Sequence, residues 1–178
     1  GIEKEKINWA TREEELLKLL DKYRKNNGEY DCLVPGSGGK DSCFQSHILK
    51  TKYGMNPLTC TWSPFLYTDY GLRNFNNWLA IGGHDNVSFR PNGEIMKLLT
   101  KLSIQNLFHP FQTFILGQKN LPPKIAKQYN IDLIFYGENE AEYGNPLADN
   151  SESLRDKSYF SLQNFDDVYM AGIPMKEL

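Results

Sequence analysis

From residue 30 onwards, short apolar runs alternate with amphipathic segments, and this alternation predicts an order of strands and helices. Compact apolar runs at Tyr30–Val34, Pro57–Trp62 and Ile131–Tyr136, and a weaker one at Asn86–Phe89, are typical of strands. The segments between them predict helices at Asp41–Tyr53, Tyr70–Ile81, Gly93–Asn106 and Pro122–Tyr129, the last beginning at its prolines. Repeated strand–helix units predict an α/β fold, a Rossmann-like doubly wound parallel sheet with helices on both faces.

Residues 1–28 precede this alternation and predict an N-terminal helical arm. Thr11 and Glu14 have the spacing of a capping box, and Asn26-Asn27-Gly28 is a typical helix stop. The apolar face of the arm consists of Leu16, Leu17, Leu19, Leu20 and Tyr23. We expect this helix to pack on the domain or on a partner.

The composition changes again near residue 140, so we divide the chain into three parts. The arm of residues 1–28 leads into an α/β domain of residues 29–140. Residues 141–178 are polar, with few apolar anchors. This last part predicts either a substrate-side extension or the start of a truncated second region.

The loop between the first predicted strand and helix reads Val34-Pro35-Gly36-Ser37-Gly38-Gly39-Lys40-Asp41-Ser42. A doubly wound sheet binds its ligands at such a junction, outside the carboxyl ends of the strands. Gly38 and Gly39 let the backbone approach an anion, and successive amide groups followed by a helix N-terminus attract phosphate. Lys40 can neutralise a further phosphate charge. The loop therefore predicts a site for a polyphosphate.

Asp41 is unusual beside phosphates, because a carboxylate repels them unless a cation lies between the two. We therefore expect Mg²⁺, held by oxygens of Asp41 and of the nucleotide. Two other phosphate motifs do not fit. Asp41 stands where a kinase-type loop needs Ser or Thr, and it also occupies the last glycine position of the dinucleotide fingerprint.

Charge and cysteine content narrow the class of function. Twenty basic and twenty-two acidic residues give a formal net charge of −2, which creates no general field for nucleic acid. The apolar runs are too short for a bilayer span. Three cysteines without metal-ligand spacing are typical of reduced thiols. We expect a cytoplasmic protein that binds neither nucleic acid nor membrane; homo-oligomerisation is left open.

The six residues Ser37-Gly38-Gly39-Lys40-Asp41-Ser42 match the SGG-x-D-S signature of the PP-loop ATP pyrophosphatases. These enzymes, among them NAD and GMP synthetases, tRNA thiolases and lysidine synthetase, adenylate an oxygen of their substrate and hold the departing pyrophosphate in this loop. The resemblance implies that ATP is split into AMP and pyrophosphate, with Mg²⁺ as the metal.

A narrower resemblance covers most of the chain. The matching segments are Tyr30 to Ser42, Lys52 to Pro57, Trp62-Ser63-Pro64, Thr68 to Asn74 and Gly137 to Gly144. They resemble the N-acetyl sugar amidotransferases of bacterial O-antigen, other surface-polysaccharide and flagellin-glycan biosynthesis. Members of that family open with a cysteine-rich segment and continue past the length of this chain, so we expect this chain to be part of a longer enzyme.

The resemblance implies that ATP activates a sugar acetamido oxygen by AMP transfer and that ammonia then displaces AMP, leaving an acetamidino group. The sugar is expected to be nucleotide-linked. Nothing in the sequence is typical of a glutaminase, so we expect ammonia from a separate glutaminase subunit. The alternatives are a tRNA-modifying or other adenylating enzyme, and a nucleotide-binding module without catalysis.

Site residues follow from the loop, from the strand ends and from the resemblance. Residues assigned to the nucleotide are Pro35, Gly36, Ser37, Gly38, Gly39, Lys40, Asp41, Ser42, Thr61, Trp62 and Gly137. Lys40, Asp41 and Glu138 are the catalytic candidates, with Asp41 and Glu138 as Mg²⁺ ligands. Residues assigned to the sugar by resemblance are Arg73, Asn74, Asn139, Glu140, Glu142 and Tyr143. A solvated loop is the alternative for Glu138 and Glu140, and core packing is the alternative for Trp62.

Overall fold

The computed structural model describes residues 7–137 and 168–178. The helices of this part of the chain are α1 (Trp9–Tyr23), α2 (Lys40–Thr51), α3 (Asp69–Ala80), α4 (Gly93–Leu107) and α5 (Gln112–Gln128), followed by a short 3-10 helix (Met175–Glu177). The strands are β1 (Cys32–Pro35), β2 (Pro57–Trp62), β3 (Asn86–Phe89), β4 (Tyr169–Met170) and β5 (Ile173–Pro174). None of the described helices is both long and apolar enough to cross a bilayer.

The first three strands form one parallel sheet in the order β1-β2-β3, while β4 and β5 form a separate antiparallel hairpin. Leu33 is paired with Leu58, and Cys60 is paired with Val87. Each connection between these parallel strands contains a helix, which is the crossover that parallel pairing requires. The predicted α/β fold with a parallel sheet is confirmed.

Helices cover both faces of this sheet because successive side chains of a strand point to opposite sides. Leu33 packs in one cluster with Leu121 and Ile125 of α5. Its neighbours Cys32 and Val34 pack in the other cluster, with Leu20 of α1 and Leu49 of α2. The arm helix α1 is thus part of the core.

The prediction of a full strand over Ile131–Tyr136 is wrong in its extent. This segment runs parallel to β1 on the side away from β2, but it forms a single bridge, between Leu33 and Ile134. The Leu33 amide donates to the Leu133 carbonyl and the Phe135 amide donates to the Leu33 carbonyl, both at 2.9 Å. The exposed residues Asp132 and Tyr136 flank this short contact. Strand β1 therefore has a parallel neighbour on each side, β2 on one and this segment on the other. The carboxyl end of β1 is then the topological switch point of the sheet.

Two predicted helix starts are also wrong. Helix α1 begins at Trp9 because the side chain of Asn8, not that of Thr11, caps it by accepting from the Thr11 amide at 3.2 Å. Helix α5 begins at Gln112, so Pro122 and Pro123 lie inside it. Burial of Leu121, Pro122 and Ile125 against the sheet compensates for the backbone hydrogen bonds that the prolines cannot donate.

Candidate nucleotide-binding site

The loop that joins β1 to α2 is held by the end of β2. The Gly36 amide donates to the Cys60 carbonyl at 2.9 Å, and the Thr61 hydroxyl donates to the Gly36 carbonyl at 2.7 Å. The Asn86 side-chain amide donates to the same hydroxyl at 3.1 Å. Thr61 is almost fully buried. Its side chain therefore positions the loop, and sequence reasoning did not identify Asn86 as its support.

Two glycines of the loop lie where no side chain fits. A Cβ atom on Gly36 would stand 2.3 Å from the Cβ of Ser42 and 2.9 Å from the Trp78 ring. Gly38 has a φ of +82°, and a Cβ there would stand 2.6 Å from the Cα of Phe75. A Cβ on Gly39 would meet no heavy atom within 4 Å. The backbone is thus packed against α3 at Gly38 and open at Gly39, as a close approach of ligand to backbone requires.

Helix α2 begins beside this open position without a side-chain cap. Gly39 is its N-cap residue, and its first-turn amides belong to Lys40, Asp41 and Ser42. Such amides have no partner within a helix, and they point at any anion bound there. The Ser42 hydroxyl donates to the Gly39 carbonyl at 3.1 Å. The local geometry therefore suits phosphate oxygens at Gly39.

A buried chain of hydrogen bonds fixes the first turns of α2 against α3. Trp78 Nε1 donates to the Ser46 hydroxyl at 2.8 Å, and that hydroxyl donates to the Ser42 carbonyl at 2.8 Å. Trp78 also lies against Gly36. Sequence reasoning missed the roles of Trp78 and Ser46. The only signal was the position of Trp78 in the predicted helix Tyr70–Ile81.

Lys40 and Asp41 are paired with each other at the surface. The Lys40 Nζ lies 2.7 Å from Oδ1 and 2.9 Å from Oδ2 of Asp41, and the side chains are 88% and 62% exposed. An ion pair so exposed to water is worth little. Both groups can therefore turn toward a phosphate or a cation at small cost.

Asp41 fits a Mg²⁺ ion only together with a bound nucleotide. Among the described residues no three His, Cys, Asp or Glu side chains are grouped closely enough to hold a metal ion. Mg²⁺ is commonly bound by one or two carboxylates and completed by phosphate and water oxygens. The second predicted ligand, Glu138, lies outside the described residues.

Gly137 reaches the phosphate loop from the far side of β1. A Cβ on Gly137 would stand 3.4 Å from the Asp41 Cβ and 3.5 Å from the Ser42 amide nitrogen. The Gln45 side chain donates to the neighbouring Tyr136 carbonyl at 3.2 Å. Gly137 therefore lies beside the start of α2. Asn139, Glu140, Glu142 and Tyr143 lie outside the described residues.

Arg73 and Asn74, both assigned to the sugar, lie exposed on the helix that packs against the loop. A Cβ on Gly38 would stand 3.2 Å from the carbonyl carbon of Asn74. The Arg73 guanidinium stacks 4.8 Å above the Tyr70 ring. The backbone of Asn74 therefore packs against the loop, while the side chain of Arg73 packs on Tyr70.

Trp62 makes the contacts of a core residue. Its ring stacks on Phe89 with centroids 5.1 Å apart, and a Cβ on Gly117 of α5 would fall 2.1 Å from the indole. Its Nε1 is buried without a hydrogen-bond partner among the described residues. These contacts fit the alternative that Trp62 packs in the core and does not bind the nucleotide.

All three cysteines are protonated thiols at neutral pH. Burial raises the pKa of Cys60 to about 12, and burial together with Asp31 raises that of Cys32 to about 12. Burial also raises the pKa of Cys43. None is therefore an activated nucleophile.

Comparison with known proteins agrees with this architecture. The chain matches no family model. An uncharacterized protein of Methanocaldococcus jannaschii is 37% identical over 51 residues, which are 29% of this chain and 18% of that protein. The NH3-dependent NAD synthetase of Campylobacter jejuni, solved in complex with a nitrate ion, superposes with a TM-score of 0.55 at 16% sequence identity.

The chain has the fold of that NAD synthetase. The superposition covers 77% of this chain and 59% of the synthetase, so the chain spans less than two thirds of either matched protein. At this level of identity the likeness concerns the fold.

Proposed function

We propose that the chain carries the ATP site of a PP-loop amidotransferase, which transfers AMP to a substrate oxygen and replaces that oxygen with ammonia. One observation carries this proposal: the SGGKDS loop lies at the switch point of a parallel sheet, with an open backbone at Gly39 and an uncapped helix behind it. The fold shared with an NH3-dependent NAD synthetase supports the same class of chemistry.

The loop would bind the pyrophosphate portion of ATP through its backbone. The amides at Gly39, Lys40 and Ser42 would donate to phosphate oxygens, and Lys40 would neutralise charge on the leaving pyrophosphate. Asp41 and Glu138 would hold Mg²⁺, which screens the phosphate charges when bound. In this arrangement catalysis consists of positioning and electrostatic stabilisation.

The proposed acceptor is the acetamido group of a nucleotide-linked sugar, which becomes an acetamidino group for surface-polysaccharide or flagellin-glycan biosynthesis. Support comes from the sequence segments that resemble N-acetyl sugar amidotransferases. The residues Arg73, Asn139, Glu140, Glu142 and Tyr143 remain predicted sugar contacts.

The proposed nitrogen source is ammonia delivered in the cytoplasm by a separate glutaminase subunit. The NAD synthetase that shares this fold is itself NH3-dependent. A cysteine nucleophile of a glutaminase would need an activated thiol, and the raised pKa values of Cys32, Cys43 and Cys60 argue against one in this chain.

The assay that tests this function measures AMP. The protein is incubated with ATP, Mg²⁺, ammonium and a UDP-acetamido sugar, and the expected products are AMP, pyrophosphate and a sugar nucleotide in which NH replaces one oxygen. Lys40→Ala and Asp41→Ala should each lower the rate of AMP formation by roughly a hundred- to a thousandfold, as loss of a well-placed charge-stabilising group typically does. Lys124→Ala, an exposed change in the last turns of α5, is the matched control.

Four outcomes would contradict the proposal. ADP in place of AMP would exclude adenylation, and undiminished AMP formation in both loop variants would exclude the loop. AMP formed only with tRNA would identify a tRNA-modifying enzyme, whereas ATP binding without any turnover would identify a nucleotide-binding module.

A further inference from the structure

An open surface cavity of about 590 Å³ lies at the carboxyl ends of β2 and β3. Its walls come from three parts of the chain: the segment Ser63–Leu66 after β2, Arg90 and Pro91 after β3, and Gly93, Lys97 and Thr100 of α4. The volume lies within the range of small-molecule ligand sites.

The cavity and the phosphate loop belong to the same edge of the sheet. Thr61 is bonded to Gly36 in the loop, and two residues later the Ser63 amide donates to the Phe89 carbonyl at 2.9 Å. Neighbouring strands are spaced by about 4.8 Å, so the end of β3 lies on the order of 10 Å from the end of β1. One elongated ligand could therefore occupy the cavity and extend to the loop.

Polar groups of the cavity are suited to an anion. Arg90 and Lys97 are both exposed, and neither forms an ion pair within the part of the chain that the structure describes. No acidic side chain lines the cavity in that part of the chain. Two cations without an acidic neighbour thus line the same space, as a phosphate-bearing ligand requires.

The remaining wall is apolar and partly exposed. Phe65 is 44% exposed and is braced by Phe114 of α5, with ring centroids 5.8 Å apart. Leu66 is 90% exposed beside it. Inorganic phosphate would use only the cations, whereas a nucleotide also has a flat base that can cover an apolar wall.

We propose that this cavity binds the nucleoside diphosphate portion of the acceptor, with Arg90 and Lys97 on the diphosphate and Phe65 and Leu66 beneath the base. The identity of the attached sugar rests on the function proposed above. The adenosine of ATP is the competing source of a nucleotide, and the experiment separates the two.

Binding is measured by titration calorimetry with UDP and, separately, with a non-hydrolysable ATP analogue. The variant Arg90→Gln/Lys97→Gln is compared with Lys124→Gln/Lys127→Gln, which removes the same charge from exposed positions at the end of α5. The first variant should bind UDP at least about tenfold more weakly, because two charge-assisted contacts are lost, and it should retain the affinity for the ATP analogue. The control should retain both affinities, and all three proteins should unfold at the same temperature.

The proposal is overturned if the Arg90/Lys97 variant keeps its affinity for UDP, or if the control loses affinity equally. An equal loss for UDP and for the ATP analogue would assign the cavity to the adenosine of ATP. Inorganic phosphate that binds as tightly as UDP would also contradict the use of the apolar wall. The AMP assay is independent: UDP binding that depends on Arg90 and Lys97 without AMP formation would uphold the cavity and reject the enzymatic function.

Discussion

Gly38 and Gly39 are adjacent in sequence, yet the first is buried and the second is exposed. Gly38 is buried in a left-handed conformation against the backbone of Phe75, whereas Gly39 has a φ of −71° and faces open space. The first glycine is therefore required for the packing of α3 on the loop. The second leaves room for a ligand.

Alanine substitution should separate these two roles. Gly38→Ala should lower the free energy of unfolding by roughly 1–3 kcal/mol, because it adds backbone strain and a steric conflict with Phe75. Gly39→Ala should leave stability nearly unchanged and weaken binding of an ATP analogue, because its Cβ enters the ligand space. Urea unfolding and titration calorimetry measure the two quantities. Equal losses of stability in both variants would contradict this division.

The residues of the loop were predictable from sequence, while those that support it were not. The order of glycines, Lys40 and Asp41 is a local pattern whose chemistry depends on the backbone alone. The contacts of Asn86 with Thr61 and of Trp78 with Ser46 join residues 25 and 32 positions apart. Such contacts depend on the rotation of each helix and the register of each strand, which periodicity does not determine.

Among the elements, α3 contacts the loop at two of its glycines. Phe75 meets Gly38, while Trp78 meets Gly36 and donates to Ser46 of α2. Helix α3 therefore holds both the loop and the helix whose N-terminus faces the proposed phosphates. A substitution that weakens the packing of α3 on the loop should therefore also weaken nucleotide binding.

A double-mutant cycle tests that contact. Ser46→Ala leaves Trp78 Nε1 buried without its partner and should cost about 1–3 kcal/mol of unfolding free energy. Trp78→Phe removes the donor and some packing. Because the two changes break the same hydrogen bond, the double variant should lose less than the sum of the single losses. The free energies come from urea unfolding, and strict additivity would show that the bond contributes nothing.

The first and last residues of an element were predictable where its apolar residues in the sequence are also the ones that pack in the fold. The predicted ranges of β2 and β3 agree with the structure, since both strands have compact runs bounded by turns. Pro122 and Pro123 suggested a helix start, but the helix continues through them because its apolar side packs on the sheet. At Ile131–Tyr136 the apolar content predicted a longer strand than the four-residue β1 supports.

At the scale of the whole molecule, the parallel topology assembles the site from distant segments. The loop follows β1, Thr61 of β2 holds it by a hydrogen bond, and Gly137 lies beside the first turn of α2. This convergence was predictable, because the carboxyl ends of parallel strands share one edge. The basic cavity at Arg90 and Lys97 was not, since its walls come from three elements that have no common sequence motif.

Global stability should also depend on pH through His84, which lies between α3 and β3. Burial, followed by the nearby charges of Lys50 and His47, lowers the pKa of His84 below its usual 6.5, and Asp85 opposes this only in part. The unfolded chain therefore binds a proton more readily than the folded chain. The contribution of neutral His84 to the stability of the folded state is therefore fully present above pH 6.5. It is lost as the pH falls from 6.5 toward the lower pKa of His84 in the folded state.

His84→Phe keeps a ring against Trp78, whose centroid lies 6.2 Å from that of His84, and removes the titrating group. Below pH 6.5 the free energy of unfolding of the wild type should decline more steeply than that of the variant. The extra decline is at most about 1.4 kcal/mol per pH unit, which is the limit for one proton. Urea unfolding of both proteins at several pH values between 5 and 8 gives the difference directly. The carboxylates titrate in both proteins, so parallel curves would exclude His84 as the source. A wild-type curve that falls more steeply than the variant curve below pH 6.5 would establish it.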